Sequence, residues 1–108
     1  MHVVTGKHLR EAAERFPVAA KQIAAWRAIV KDAQWRSPGE IKDNFGDVDC
    51  AGDRAVFRIH GTRYRLVATV HYSREQNGRL CEGHVWVRSF LTSREYENAT
   101  HRDKGAMQ

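Results

Sequence analysis

The chain has 108 residues, 42% hydrophobic and 29% charged, which are ordinary values for a globular domain with room for one modest core. No apolar run approaches the ~18 residues that a membrane helix requires, and the opening MHVVTGKHLREAAERF is charged too early for a secretory signal. The net charge of +5 comes entirely from the second half: residues 1–53 balance eight Lys/Arg with eight Asp/Glu, whereas residues 54–108 carry ten against five, nine of the ten being arginines.

In chain order, His2 to Val4 is a short apolar stretch suited to an edge strand. Thr5 can cap a first helix in which Leu9, Ala12, Ala13 and Phe16 share one buried face, and Pro17 closes it. From 18 to 34, Ala19, Ile23, Trp26, Val30 and Ala33 recur every three or four residues, which predicts a second amphipathic helix and hence a helical hairpin. Ser37-Pro38-Gly39-Glu40 has the spacing of a capping box, with proline at the first helical position, and predicts a short helix over 38–44. Residues 45–53 are acidic and rich in turn formers and read as a loop. Cys50 and Cys81 stand apart without C-x-x-C spacing. Two reduced thiols in a cytoplasmic protein is the expectation, with a disulfide as the alternative.

After residue 54 the period changes from that of a helix to that of a strand. Residues 55–60 and 63–72 are β-rich runs joined by Gly61-Thr62, a two-residue hairpin signal, and a third run covers 84–90 beyond the polar segment SREQNGRLCEG. The order strand, two helices, three strands predicts an α+β domain whose N-terminal helical hairpin packs on one face of an antiparallel sheet. A two-residue turn sets Arg58 opposite Arg65, Val56 opposite Val67 and His60 opposite Arg63. Alternation then gives the helices Phe57, Ile59, Tyr64, Leu66, Ala68 and Val70. The other face receives Arg58, His60, Arg63, Arg65, Thr69 and His71, joined from the third strand by His84, Trp86, Arg88 and Phe90, while Arg54 is expected outside it.

Opposed arginines repel across a hairpin by roughly 0.2–1 kcal/mol, and neither strand offers an acid to relieve them. Arginines splayed into solvent are one account. A polyanion bound across Arg58, His60, Arg63 and Arg65 is the other, with Trp86 and Phe90 as surfaces for unpaired bases. Trp86 packed beneath the C-terminal segment is the alternative for that residue.

The run V-F-x-I-x-G-x-x-Y-R-L-V (Val56 to Val67) resembles the central hairpin of HigB-type toxins of the RelE superfamily. So do W-x-S-P-x-x-I-K (Trp35 to Lys42), V-R-S-F (Val87 to Phe90) and Glu95-Tyr96, in the same order and with similar spacing over residues 1–97. The resemblance implies a RelE-like fold and cleavage of mRNA, generally on the ribosome. It also implies neutralisation by a helix-turn-helix antitoxin of the HigA kind. Carried over by position, the implied functional residues are Arg65, Arg88 and Tyr96. Where the family commonly has T-H-x-E-Y, this chain has Thr92-Ser93-Arg94-Glu95-Tyr96, so a histidine is replaced by Ser93. His71, on the arginine face, and His101, in a tail expected over 98–108, are the candidates to replace it.

Cleaving RNA without a metal needs a base for the 2′-hydroxyl, cations for the charge growing on phosphorus and an acid for the leaving 5′-oxygen. Arg65 and Arg88 suit the second task, and Tyr96 or a histidine suits the others. The six histidines are scattered without ligand spacing, so no metal or other cofactor is expected. Two further readings stay open at this level: a non-catalytic inhibitor that occupies the ribosome or its RNA, and a ParE-like gyrase poison on the same scaffold.

Overall fold

In the computed structural model, which describes residues 1–5 and 7–106, the helices and strands follow the change of period. Strand β1 (His2–Val4) leads to α1 (His8–Arg15), a 3₁₀ turn (Pro17–Ala19) and α2 (Ala20–Asp32). The short α3 (Pro38–Asn44) comes next, then β2 (Asp49–Ala51), β3 (Arg54–Ile59), β4 (Tyr64–His71), β5 (Arg74–Gln76), β6 (Arg79–Cys81), β7 (His84–Thr92) and α4 (Ser93–Ala106). Five strands form one sheet in the order β1-β7-β4-β3-β2, and β5 and β6 form a separate ribbon.

The fold is α+β, as expected, with two refinements. The sheet is mixed, because β1 runs parallel to β7 at the edge. In addition, the acidic segment read as a loop contributes β2, which pairs with β3 and places Asp49 opposite Val56. The polar segment after β4 is also structured. Asn77 and Gly78, with φ of 54° and 76°, make the tight turn of the β5–β6 ribbon.

The central hairpin has the register the sequence implied: Arg58 faces Arg65, and Val56 faces Val67. The Arg63 amide donates to the His60 carbonyl at 3.3 Å around Gly61-Thr62, but His60 itself has φ of 55°, so the ladder ends one pair earlier, at Ile59–Tyr64. Phe57, Ile59, Tyr64, Leu66, Ala68, Val70, Val85 and Val87 are buried against Leu9, Ala12, Ile23, Trp26 and Val30 of the helices. Edge-to-face packing of Trp26 on Phe57, with ring centroids 5.3 Å apart, ties α2 to the sheet centre. At α3, Glu40 accepts from the Arg36 amide at 2.6 Å, one residue earlier than a capping box on Ser37 requires.

One expectation about the third strand is overturned. Between Val67–Ser89 and Ala68–Val87 the pairing of β4 with β7 skips Arg88, a β-bulge that leaves Arg88 as the extra residue. Beyond it the alternation inverts, so Phe90 turns into the core. Its ring stacks on Tyr64 at 5.5 Å and approaches Phe16 at 6.1 Å. Phe90 is 9% exposed and offers no surface to a base. Arg54 is corrected as well: it opens β3 opposite Thr69, and alternation sets it on the same face as Arg58. Cys50 and Cys81 are both free.

Candidate functional site

Two regions of the arginine face gather chemically useful side chains, one at each end of β4. At the hairpin end, Arg65 is held by three acceptors. Its Nη1 donates to the Thr62 carbonyl at 2.8 Å, the Tyr64 carbonyl at 3.2 Å and Ser93 Oγ at 3.2 Å. No hydrogen bond of Nε or Nη2 is formed among the described residues, so the outer part of the fork is available to an anion. The guanidinium carbon lies 5.9 Å from the centre of the Tyr96 ring. Ser93 is itself anchored, its hydroxyl donating to the Thr62 carbonyl and its amide to the Arg63 carbonyl at 2.8 Å. A shallow depression of about 660 Å³ opens here, lined by Thr62, Arg63, Arg65, Ser93, Arg94 and Glu97.

The start of α4 explains why Ser93 and Tyr96 sit where they do. Thr92 and Glu95 form a reciprocal capping box: Glu95 Oε1 accepts from the Thr92 amide, and Thr92 Oγ1 accepts from the Glu95 amide, both at 3.1 Å. The Thr92 amide is the main reason that the Glu95 carboxyl titrates below its ordinary range. Partial burial opposes this, and the Thr92 hydroxyl and Arg15, whose guanidinium is 3.6 Å away, assist. The cap fixes the first turn of α4 against the β3–β4 turn. The signal was in the sequence, as T-x-x-E at 92–95, but it was read only as part of a resemblance.

The remaining expected site residues divide by position. His60 and Arg63 lie in the hairpin turn beside Arg65, His60 with its ring 6.3 Å from that of Tyr64. Arg58 turns the other way: its Nη1 donates to the Asp47 carbonyl at 2.6 Å, and Nη2 pairs with Asp49 at 3.4 Å. The Arg58–Arg65 repulsion is thus relieved inside the fold, by an acid on the strand that had been read as a loop. Arg88 is not drawn into the Arg65 pocket. Its Nε donates to Thr69 Oγ1 at 3.0 Å, and its guanidinium lies 5.9 Å from the Trp86 ring. His71 ends β4, six residues from Arg65 or about 20 Å along the strand, and is not brought to Tyr96. The side chain of His101 lies outside the described residues. No group of three or more His, Cys, Asp or Glu among the described residues could hold a metal ion.

The chain is 28% identical to "mRNA interferase toxin HigB" of Escherichia coli K12, over 97% of its own length and 98% of that protein. It has the same identity and coverage with "mRNA interferase HigB" of Escherichia coli O157:H7 and of Shigella flexneri. Residues 19–99 match the HigB toxin family, described as the RelE-like toxic component of a toxin-antitoxin system. The match contains the hairpin, the Arg65 pocket and the start of α4, and with most of its length inside that match, the chain belongs to the HigB family of RelE-like toxins.

Proposed function

We propose that this toxin is an mRNA interferase: a metal-independent endoribonuclease that cuts messages at the ribosome and is silenced by a helix-turn-helix antitoxin. The observation that carries this reading is the meeting of Arg65, Ser93 and Tyr96 at one end of an arginine-rich sheet face. The relatives whose names state that activity match over nearly the whole chain. An antitoxin partner follows from membership of a toxin-antitoxin family; its helix-turn-helix character and the ribosome belong to the proposal.

In this mechanism the RNA backbone enters the depression with the scissile phosphate at the outer edge of the Arg65 fork. A base removes the 2′-hydroxyl proton, the 2′-oxygen attacks phosphorus, and the 5′-oxygen leaves as it is protonated, giving a 2′,3′-cyclic phosphate and a 5′-hydroxyl end. Arg65 stays charged throughout and is clamped at Nη1, so it meets the growing negative charge without reorganising. Tyr96, beside that guanidinium, is the assigned proton-transfer group at the scissile bond. Arg88, midway along the face, holds a neighbouring phosphate.

Primer extension on a translated message tests the scheme. Arg65→Ala should lose about 10²–10³ in cleavage rate, as removal of one transition-state donor does, with a far smaller loss in RNA binding. It should also abolish the growth arrest that the wild type causes and that co-expressed antitoxin relieves. Arg27→Ala, on the exposed side of α2, controls for lost charge. Translation blocked by the wild type without any cut would establish occupancy instead, and equal losses in Arg27→Ala and Arg65→Ala would remove Arg65 from the site.

A further inference from the structure

At the end of the face away from Arg65, the register of three adjacent strands aligns three histidines in one row. His2 pairs with His84, and His84 pairs with His71. Trp86, two residues along β7, completes the group. The His84 and Trp86 rings stack 5.3 Å apart at 14°, His71 meets Trp86 edge-on at 4.4 Å, and His2 meets His84 edge-on at 5.5 Å. Arg88 reaches the same indole. All four rings lie outside the hydrophobic core, with His2 and His71 exposed and His84 and Trp86 half-buried. No imidazole nitrogen of the three has a hydrogen-bond or ion-pair partner among the described residues. Asp53 and Glu82 line a cleft of about 730 Å³ that opens past His71 and His84; Glu82 pairs with the Met1 ammonium at 3.4 Å, and nearby Glu75 pairs with Arg36 at 3.3 Å.

A flat aromatic surface edged by unpaired imidazole donors and acceptors, with a guanidinium at its side, suits an unpaired nucleobase and its phosphate. The row has no carboxylate of its own, which disfavours a basic peptide. It is continuous with the Arg65 pocket, since Thr69, which receives Arg88, is opposite Trp86 and four residues from Arg65 on the same face of β4. Four strand residues span about 13 Å. At about 3.4 Å per stacked nucleotide, a base at Trp86 lies up to about four positions from the scissile phosphate.

We propose that the His2–His84–His71 row with Trp86 and Arg88 is a second RNA subsite. It holds an unpaired base flanking the cleavage point and so sets the sequence context in which the toxin cuts. This rests on the endoribonuclease reading and extends it from the reacting phosphate to the choice of substrate.

Intrinsic fluorescence gives a direct readout, because Trp26 and Trp35 are each 2% exposed and Trp86 is the half-buried tryptophan on the surface. The full chain is titrated with a short single-stranded RNA whose riboses are 2′-O-methylated, so that it binds without being cut. The expected result is saturable quenching with the single strand and none with the same sequence as a duplex. Trp86→Ala lacks the reporting indole, so its affinity is read from the anisotropy of the same RNA carrying a 5′ dye, and its Kd should rise roughly tenfold to a hundredfold, the range for loss of one base stack. His84→Ala, which leaves the indole in place, should raise it less and keep the quenching. Arg65→Ala should preserve the quenching, and Trp86→Ala should broaden the set of positions cut in a message.

Unchanged affinity and unchanged cleavage positions in both Trp86→Ala and His84→Ala would overturn the subsite while leaving the endoribonuclease intact. Equal quenching by duplex and single strand would also overturn it. Loss of antitoxin binding with RNA binding unaltered would assign the row to a protein interface instead. A wild type that neither binds nor cuts RNA would remove both proposals.

Discussion

Arg65 shows how a long side chain on a solvent-facing strand becomes fixed in one geometry. Alternation along β4 sends it away from the helices, but direction alone leaves a long side chain mobile. Two backbone carbonyls and the Ser93 hydroxyl remove that freedom. Ser93, at the position where the resemblance implies a histidine, here accepts a hydrogen bond from the arginine at 3.2 Å. Ser93→Ala should therefore lower kcat by about tenfold, the lower end for one hydrogen bond to a charged group because both carbonyls still hold the arginine, with KM unchanged and the fold intact. Steady-state cleavage assays beside Arg65→Ala check this. A loss as large as that of Arg65→Ala would instead make Ser93 a participant in proton transfer. The residue scale also accounts for Phe90. Its identity as an aromatic residue was no guide to its face, because one extra residue in β7 reverses the parity of everything after it.

Among the elements, α4 has the clearest conditional stability. Its first turn is held by the Thr92–Glu95 box, and it carries Ser93 and Tyr96 into the site. The Glu95 carboxyl is lowered in the folded chain, so its contribution is fully present above the ordinary glutamate pKa and is lost as the pH falls through the lowered value. Glu95→Gln keeps the cap geometry without the charge. The stability gap between wild type and variant should be no more than about 1 kcal/mol at neutral pH, since the side chain is 39% exposed, and it should close as the pH falls below about 4. Denaturant melts across that range measure it, and a gap that widens on acidification would contradict the assignment. The β5–β6 ribbon makes a related point: Asn77-Gly78 is a strong hairpin signal, overlooked because the flanking residues are polar and form a ribbon outside the core sheet.

For the whole molecule, the junction of β1, β4 and β7 is packed so closely that Gly83 has no room for a Cβ. A Cβ at Gly83 would lie 2.6 Å from Met1 Cε and 2.7 Å from the Ser73 amide, and closer still to the His71 carbonyl. Two of those three obstacles are backbone, so little can yield. Gly83→Ala should destabilise the fold by about 1–3 kcal/mol, the usual range for overpacking, whereas Gly46→Ala, with nothing within 4 Å, should not. Equal melting temperatures for the two variants would show that the junction relaxes freely. The same junction aligns His2, His84 and His71, so Gly83→Ala should also weaken RNA binding at the proposed subsite while sparing the Arg65 pocket.

Read alone, the sequence was sufficient for whatever depends on local pattern. Helical spacing placed α1 and α2, the capping-box spacing at Ser37–Glu40 placed α3, alternation and the Gly61-Thr62 turn placed β3 and β4 in their observed register, and the ordered motifs pointed to the family. Tertiary structure decided what depends on strands distant in the chain. The bulge at Arg88 arises from pairing with β4, Asp49 reaches Arg58 only because β2 joins the sheet, and the histidine row exists only because β1 adds in parallel beside β7. Period and propensity act over a few residues and specify which way each side chain points on its own strand. Which side chains become neighbours is set by inter-strand register, and that depends on how the whole sheet closes over one core.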